Sequence, residues 1–145
     1  MGNYKTKIKN VAIPTLKEEQ MSESLLKVNN IEVVYNHVIL ALRGVTLDVE
    51  EGKVVSLLGA NGSGKTTTLK ACSNLLHAER GAITKGSIEY QGNDIATSDA
   101  YNLVKDGVVQ VLEGRHCFAH LTVEENIMTG SFIRENSKEA KQDLE

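Results

Sequence analysis

Cysteine is scarce in this chain: Cys72 and Cys117 are the only two among 145 residues, and they stand far apart in no spacing pattern. That excludes a disulfide framework, and two free thiols of a reducing compartment are expected, with Cys72 as a small core residue. Long hydrophobic runs are missing as well. No stretch approaches the roughly 18 apolar residues that a membrane-spanning helix needs, and the N-terminus shows no apolar core of an export signal. An excess of positive charge is also lacking. The formal net charge is −3, so the basic signature of a nucleic-acid partner is absent. Proline occurs once, at Pro14, and the chain has neither a repeat nor a low-complexity tract.

What is present is the composition of a globular domain: 41% hydrophobic and 24% charged residues, in a length suited to one core. Residues 1–22 show no sustained period and are expected to be a flexible extension. Met1-Gly2-Asn3-Tyr4-Lys5-Thr6 formally fits an N-myristoylation pattern, but Lys5, Lys7, Lys9 and Lys17 read more simply as a solvated basic tail. Leu26, Val28, Ile31, Val33 and Tyr35 are strand residues, broken at Asn29-Asn30 by a turn signal. Val45, Leu47 and Val49 alternate with Thr46 and Asp48 as a half-exposed strand does, and Glu50-Glu51-Gly52 turns the chain. Val54 to Leu58 and Gly107 to Leu112 are short unbroken apolar runs, the pattern of strands buried on both faces. "GAITKGSIEYQG" predicts a strand pair with Gly86 at its turn.

Leu69, Cys72, Leu75 and Leu76 recur at helical spacing, so a helix follows residue 64. A short helix is expected over 97–105, capped by Ser98 or Asp99. Another begins in "LTVEENIMTG", where Thr122 and Glu125 form a capping box. The charged tail from Arg134 is expected to be helical.

The most informative stretch is Gly59-Ala60-Asn61-Gly62-Ser63-Gly64-Lys65-Thr66, a full match to G-x-x-x-x-G-K-[ST] between a strand pattern and a helix pattern. Each residue type has a reason. The glycines let Gly59, Asn61, Gly62, Ser63 and Gly64 curl so that backbone N–H groups converge on phosphates. The following helix turns its positive end to the same anions. Lys65 is expected at the β- and γ-phosphates, and the Thr66 hydroxyl, followed by Thr67, at a bridging Mg²⁺. A nucleotide, with Mg²⁺, is therefore the expected ligand.

From about Leu25 to Ile133, "IEVVYNHVILALRGVTLDVEEGKVVSLLGANGSGKTTTLKACSNLL", "ERGAITKGSIEYQG" and "VQVLEGRHCFAHLTVEEN" resemble ATP-binding-cassette (ABC) transporter ATPases, most of all the branched-chain amino acid importer subunits. The resemblance implies an α/β fold: a P-loop NTPase core with an antiparallel β subdomain, of which residues 23–145 are the N-terminal part, up to the start of a helical subdomain. It implies that Tyr35 stacks on adenine, that Gln110 meets Mg²⁺ and the attacking water beside Lys65, and that the loop behind Gln110 contacts a membrane-embedded partner. The implied setting is the cytoplasmic face of the plasma membrane. There the subunit would work with transmembrane permeases and a second ABC ATPase subunit, and without nucleic acid. The 145 residues contain no Leu-Ser-Gly-Gly-Gln signature, Asp-Glu strand end or switch histidine, so turnover by this chain alone is not expected.

Other readings stay open at this level. A nucleotide-binding module without turnover is one, and a P-loop kinase or GTPase is another. Asp48 resembles a Mg²⁺-binding acid, but it precedes the loop and is expected on the surface. Glu113, His116, Cys117 and His120 suggest a zinc cluster, but no second half completes it.

Overall fold

The computed structural model describes residues 24–114, 116–133 and 142. The extension 1–22 and almost all of the charged tail from Arg134 therefore lie outside the described residues. A four-stranded antiparallel sheet organises the rest, with β1 (Ser24–Tyr35), β2 (Ile39–Glu50), β3 (Gly81–Tyr90) and β4 (Asn93–Asp94) in the order β2-β1-β3-β4. Helix α1 (Lys65–Cys72) and a 3₁₀ turn (Leu76–Glu79) connect β2 to β3; α2 (Ala100–Lys105) and α3 (Val123–Thr129) follow.

β1 is paired along both edges, and at Asn29-Asn30 it carries one residue more than the stretch opposite it on either neighbour, an excess that β2 makes up between Val45 and Arg43 and β3 between Lys85 and Ile83. Val28 pairs with Leu47 and Ile31 with Val45, so three steps on β1 match two on β2. On the other edge Asn29 pairs with Ser87 and Glu32 with Lys85, again three steps against two. This is a β-bulge. It replaces the break expected at Asn29-Asn30: one continuous strand passes through, with Asn30 at φ 48°. The bulge has a packing consequence. Strict alternation would send Val28 and Ile31 to opposite faces. The extra residue resets the phase, and Val28, Ile31 and Val33 are all fully buried. The Asn30 N–H, displaced from the ladder, donates to Thr46 Oγ1 at 3.0 Å.

Gly86 is not a turn either. It lies inside β3, at φ +83°, opposite the bulge. A Cβ there would stand 2.3 Å from the Asn29 carbonyl oxygen and 2.5 Å from that of Asn30. Asparagine and glycine at positive φ serve turns and bulges alike, so local residue type does not separate the two.

One cluster forms the core: Val28, Ile31, Val33, Leu42, Ala71, Cys72, Leu76, Ile88, Ile95 and Leu103. Burial of each large member contributes about 1.5–3 kcal/mol. The outward alternation of β2 is as the sequence indicates, with Thr46 and Asp48 exposed between half-buried Val45, Leu47 and Val49. Asp48 is a surface residue that accepts a hydrogen bond from Ser24 Oγ at 3.2 Å. α1 is shorter than the apolar spacing suggests, since Leu76 belongs to the 3₁₀ turn and Leu69 is 50% exposed. Asp99 caps α2 by accepting from the Tyr101 N–H at 3.3 Å.

The two runs expected as buried strands are the main departure. Residues 54–58 and 107–112 enter no strand ladder, and Val54, Leu58 and Val111 are 94%, 88% and 90% exposed. Extended backbone becomes a strand only when a neighbour bonds to its edge, and among the described residues none lies alongside these runs.

Two outcomes follow. Gly86→Ala, which combines an unfavourable φ with contacts to two backbone carbonyls, is expected to destabilise the protein by about 1–3 kcal/mol in denaturant titration. The 145-residue polypeptide, with its exposed apolar runs, is expected to bind a hydrophobic dye in its native state and to melt over a broad range; a sharp cooperative transition without dye binding would refute this.

Candidate functional site

The glycine-rich loop leaves the exposed 54–58 run and ends in α1. Gly64 is the N-cap, in the left-handed conformation at φ 90°, and a Cβ on it would stand 2.4 Å from Leu42 Cδ2. The loop therefore rests directly on a core residue of β2. Within the loop, the Ser63 N–H donates to Ala60 O at 3.2 Å. Thr68, one turn into α1, is buried; its N–H and hydroxyl both donate to Gly64 O, at 2.8 and 3.0 Å. These bonds fix the angle at which the helix meets the loop.

The Lys65 ammonium folds back and donates to Gly59 O and Ala60 O, each at 2.8 Å. It thus sits inside the curve of the loop, its charge facing the region where the Gly62–Thr66 stretch begins the helix. Asn61, Gly62, Ser63 and Thr66 are exposed. A helix start at an exposed glycine-rich loop, with an ammonium and an exposed threonine beside it, is the kind of place a polyphosphate with its Mg²⁺ would fit.

Tyr35 ends β1, 24 positions before the loop in sequence, yet it lines the same cleft as Thr66 and Thr67. That cleft, of about 390 Å³, is completed by Asn36, Ile39, Lys70 and Glu79. The hairpin turn 36–38 puts Tyr35 there. Asn36 and His37 take positive φ, and the Val38 N–H closes the turn on Tyr35 O at 3.1 Å. Tyr35 pairs with Gly81, where any Cβ would lie 2.7 Å from Tyr35 Cε1, so the ring lies against a bare glycine. Lys70 and Glu79 form an ion pair across the cleft. Sequence reading missed both of these residues, because only the fold brings together residues nine positions apart.

Gln110 is not at this cleft. Its Oε1 accepts from Ser73 Oγ, at the C-terminal end of α1. Ser73 is seven residues from Thr66, about 10 Å along a helix. The sequence-predicted residues therefore divide: Tyr35 shares a cleft with Thr66 and Thr67, Lys65 bonds within the loop at Gly59 and Ala60, and Gln110 stands apart at Ser73.

Beyond Gln110, residues 118–122 are built around Asn126, which sequence reading also missed. Its Nδ2 donates to the carbonyls of Phe118, Leu121 and Thr122 at 3.1, 3.2 and 2.9 Å, and its Oδ1 accepts from the Phe118 N–H at 2.8 Å. The capping box at α3 is as expected. Glu125 Oε2 accepts from the Thr122 N–H at 2.7 Å, and the Glu125 N–H donates to Thr122 Oγ1 at 3.2 Å. The Thr122 backbone N–H, then its hydroxyl, hold the Glu125 carboxyl below its ordinary value. No group of three or more His, Cys, Asp or Glu able to hold a metal occurs among the described residues. No described helix is long and apolar enough to cross a membrane.

Fold and loop together define a P-loop nucleotide-binding domain. A family model described as "ABC transporter" matches residues 42–145, more than half of the chain, and the protein belongs to that family. Among its relatives are two "high-affinity branched-chain amino acid transport ATP-binding" proteins of Pseudomonas aeruginosa. BraG is 37% identical over 95 residues, 66% of this chain and 39% of BraG. BraF is 32% identical over 108 residues, 74% of this chain and 40% of BraF. The chain thus spans about two-fifths of the length of these relatives. The solved ATP-binding cassette MJ1267 of an ABC transporter superposes with a TM-score of 0.65 at 24% identity, covering 84% of this chain and 46% of that one. The ADP conformation of MJ1267 gives 0.63 at 26% identity, with the same coverage. The fold is accordingly α/β, the P-loop NTPase core of ABC ATPases with its antiparallel β subdomain.

The two thiols provide a test of the site's surroundings. Cys72, the last residue of α1, is buried, and burial pushes its thiol up to about 11. Cys117 is exposed in the loop that Asn126 holds. A disulfide-exchange reagent at neutral pH is expected to label Cys117 at once and Cys72 only on unfolding. Equal rates for both thiols would contradict this packing.

Proposed function

We propose that this chain is the nucleotide-binding part of an ABC importer ATPase that couples ATP binding and hydrolysis to uptake of branched-chain or similar amino acids. The single observation that carries the reading is the cleft in which the Tyr35 ring shares its walls with Thr66 and Thr67, the residues that follow the glycine-rich loop into α1. A ring at one end and converging donors at the other suit a flat base and a chain of phosphates. Tyr35 is assigned to the adenine, where stacking is worth about 1–3 kcal/mol and tolerates either purine. Gly59, Asn61, Gly62, Ser63, Gly64, Lys65, Thr66 and Thr67 are assigned to the phosphates.

Thr66 and Gln110 are assigned to Mg²⁺, which supplies charge neutralisation between the phosphates when bound. Gln110 has to exchange Ser73 for that role. Lys65 is assigned to the charge that develops on the transferred phosphoryl group. The amino acid cargo is supported by the names of BraG and BraF. Membership of the family supports transmembrane permeases and a second ATPase subunit as partners, at the cytoplasmic face of the membrane.

ATP binding tests the reading at its centre. Lys65→Ala removes a charge-assisted contact and is expected to weaken Mg–ATP binding at least tenfold by calorimetry; Tyr35→Ala is expected to weaken it by roughly tenfold. Unchanged affinity in Lys65→Ala would remove the site assignment, and strict guanine selectivity in the unaltered chain would redirect it to a GTPase.

A further inference from the structure

On the other side of the Tyr35 hairpin lies a second cavity, of about 480 Å³, lined by Asn36, His37, His77, Arg80, Gly81 and Ala82. It shares only Asn36 with the Tyr35 cleft. Three of its six lining residues carry or can carry positive charge, and none is acidic. This runs against the chain as a whole, whose net charge is −3. The nearest acid in sequence, Glu79, is engaged by Lys70 in the Tyr35 cleft. The 3₁₀ turn thus lends its acid to one cavity and its two basic residues to the other.

The walls are fixed by backbone contacts. The Asn36 N–H donates to Arg80 O at 2.9 Å, joining the hairpin turn to the end of the 3₁₀ turn. The Arg80 N–H donates to His77 O at 3.1 Å, with Arg80 itself left-handed at φ 57°. Gly81 is packed beneath the Tyr35 ring, and Gly81 and Ala82 give small walls. Arginine offers a planar fork of donors matched to phosphate oxygens, and imidazolium and carboxamide groups add further donors.

We propose that this cavity is a second anion site, distinct from the glycine-rich loop, and that it takes a small phosphate-bearing ligand of the monoester or inorganic class. Arg80 provides the fork, His77 and His37 donate from the two flanking turns, and the Asn36 carboxamide lies at the boundary with the Tyr35 cleft. The assignment does not depend on the loop binding ATP.

The experiment follows the imidazole resonances of the full chain by NMR during titration with inorganic phosphate at a fixed, mildly acidic pH. His37 and His77 are expected to shift saturably, while His116 and His120, exposed elsewhere, stay still. Arg80→Asn keeps a residue that tolerates the left-handed backbone and removes the fork, and it is expected to weaken the response roughly tenfold, as is His77→Gln. Lys65→Ala, which disables the glycine-rich loop, is expected to leave the His37 and His77 response intact. The proposal is overturned if His37 and His77 move no more than His120. It is equally overturned if Arg80→Asn leaves the response unchanged, or if Lys65→Ala abolishes it, since phosphate would then be acting only through the loop.

Discussion

The bulge at Asn29-Asn30 of β1 is the local constraint to which the described sheet is fitted. Both neighbours of β1 yield to it. β2 supplies the Thr46 hydroxyl to the displaced Asn30 N–H, and β3 supplies Gly86, where no side chain fits. In return Val28, Ile31 and Val33 all face inward, and Leu42, Ile88 and α1 close on them. β1 ends at Tyr35 and β2 carries Leu42 under Gly64, so the pairing of these two strands sets where the aromatic ring and the glycine-rich loop stand. A slip of one residue on either edge would turn the apolar set outward and part the ring from the loop.

Much of this was legible in the sequence, for identifiable reasons. The loop has a pattern in which every residue type is dictated by backbone geometry, and the helix expected after residue 64 begins at Lys65, although residues 54–58 before the loop join no ladder. The alternation of Val45, Leu47 and Val49 and the capping box of Thr122 and Glu125 are local, and local physics decides them. The bulge was misread as a break because asparagine at positive φ serves both. Gly86 was misread for the same reason. Residues 54–58 and 107–112 have the composition of buried strands, but burial is a property of neighbours, and no described element supplies them.

The site was legible to a similar extent. Tyr35 and the Thr66-Thr67 pair are separately legible, but their shared cleft with Lys70 and Glu79 is a product of the hairpin and the 3₁₀ turn. Gln110 shows the converse. Its position in the chain suggested the phosphate site, while the fold gives it Ser73 at the opposite end of α1. Asn126 follows directly on the capping-box glutamate, yet nothing in its residue type announced four hydrogen bonds to the preceding loop.

The bonds from Lys65 to Gly59 O and Ala60 O make the loop its own first ligand. An anion entering it meets an ammonium that already has two acceptors, so docking is an exchange and not a simple addition. Two neutral carbonyls are displaced readily only by an acceptor with several formal charges, because attraction to the ammonium grows with the charge brought against it. On the proposed function the loop would then set a charge threshold: singly charged anions, chloride or a carboxylate, would leave the lysine where it is, and a triphosphate would draw it out. Discrimination against the abundant small anions of a cell would then come from an internal competitor, before any feature of the base is read.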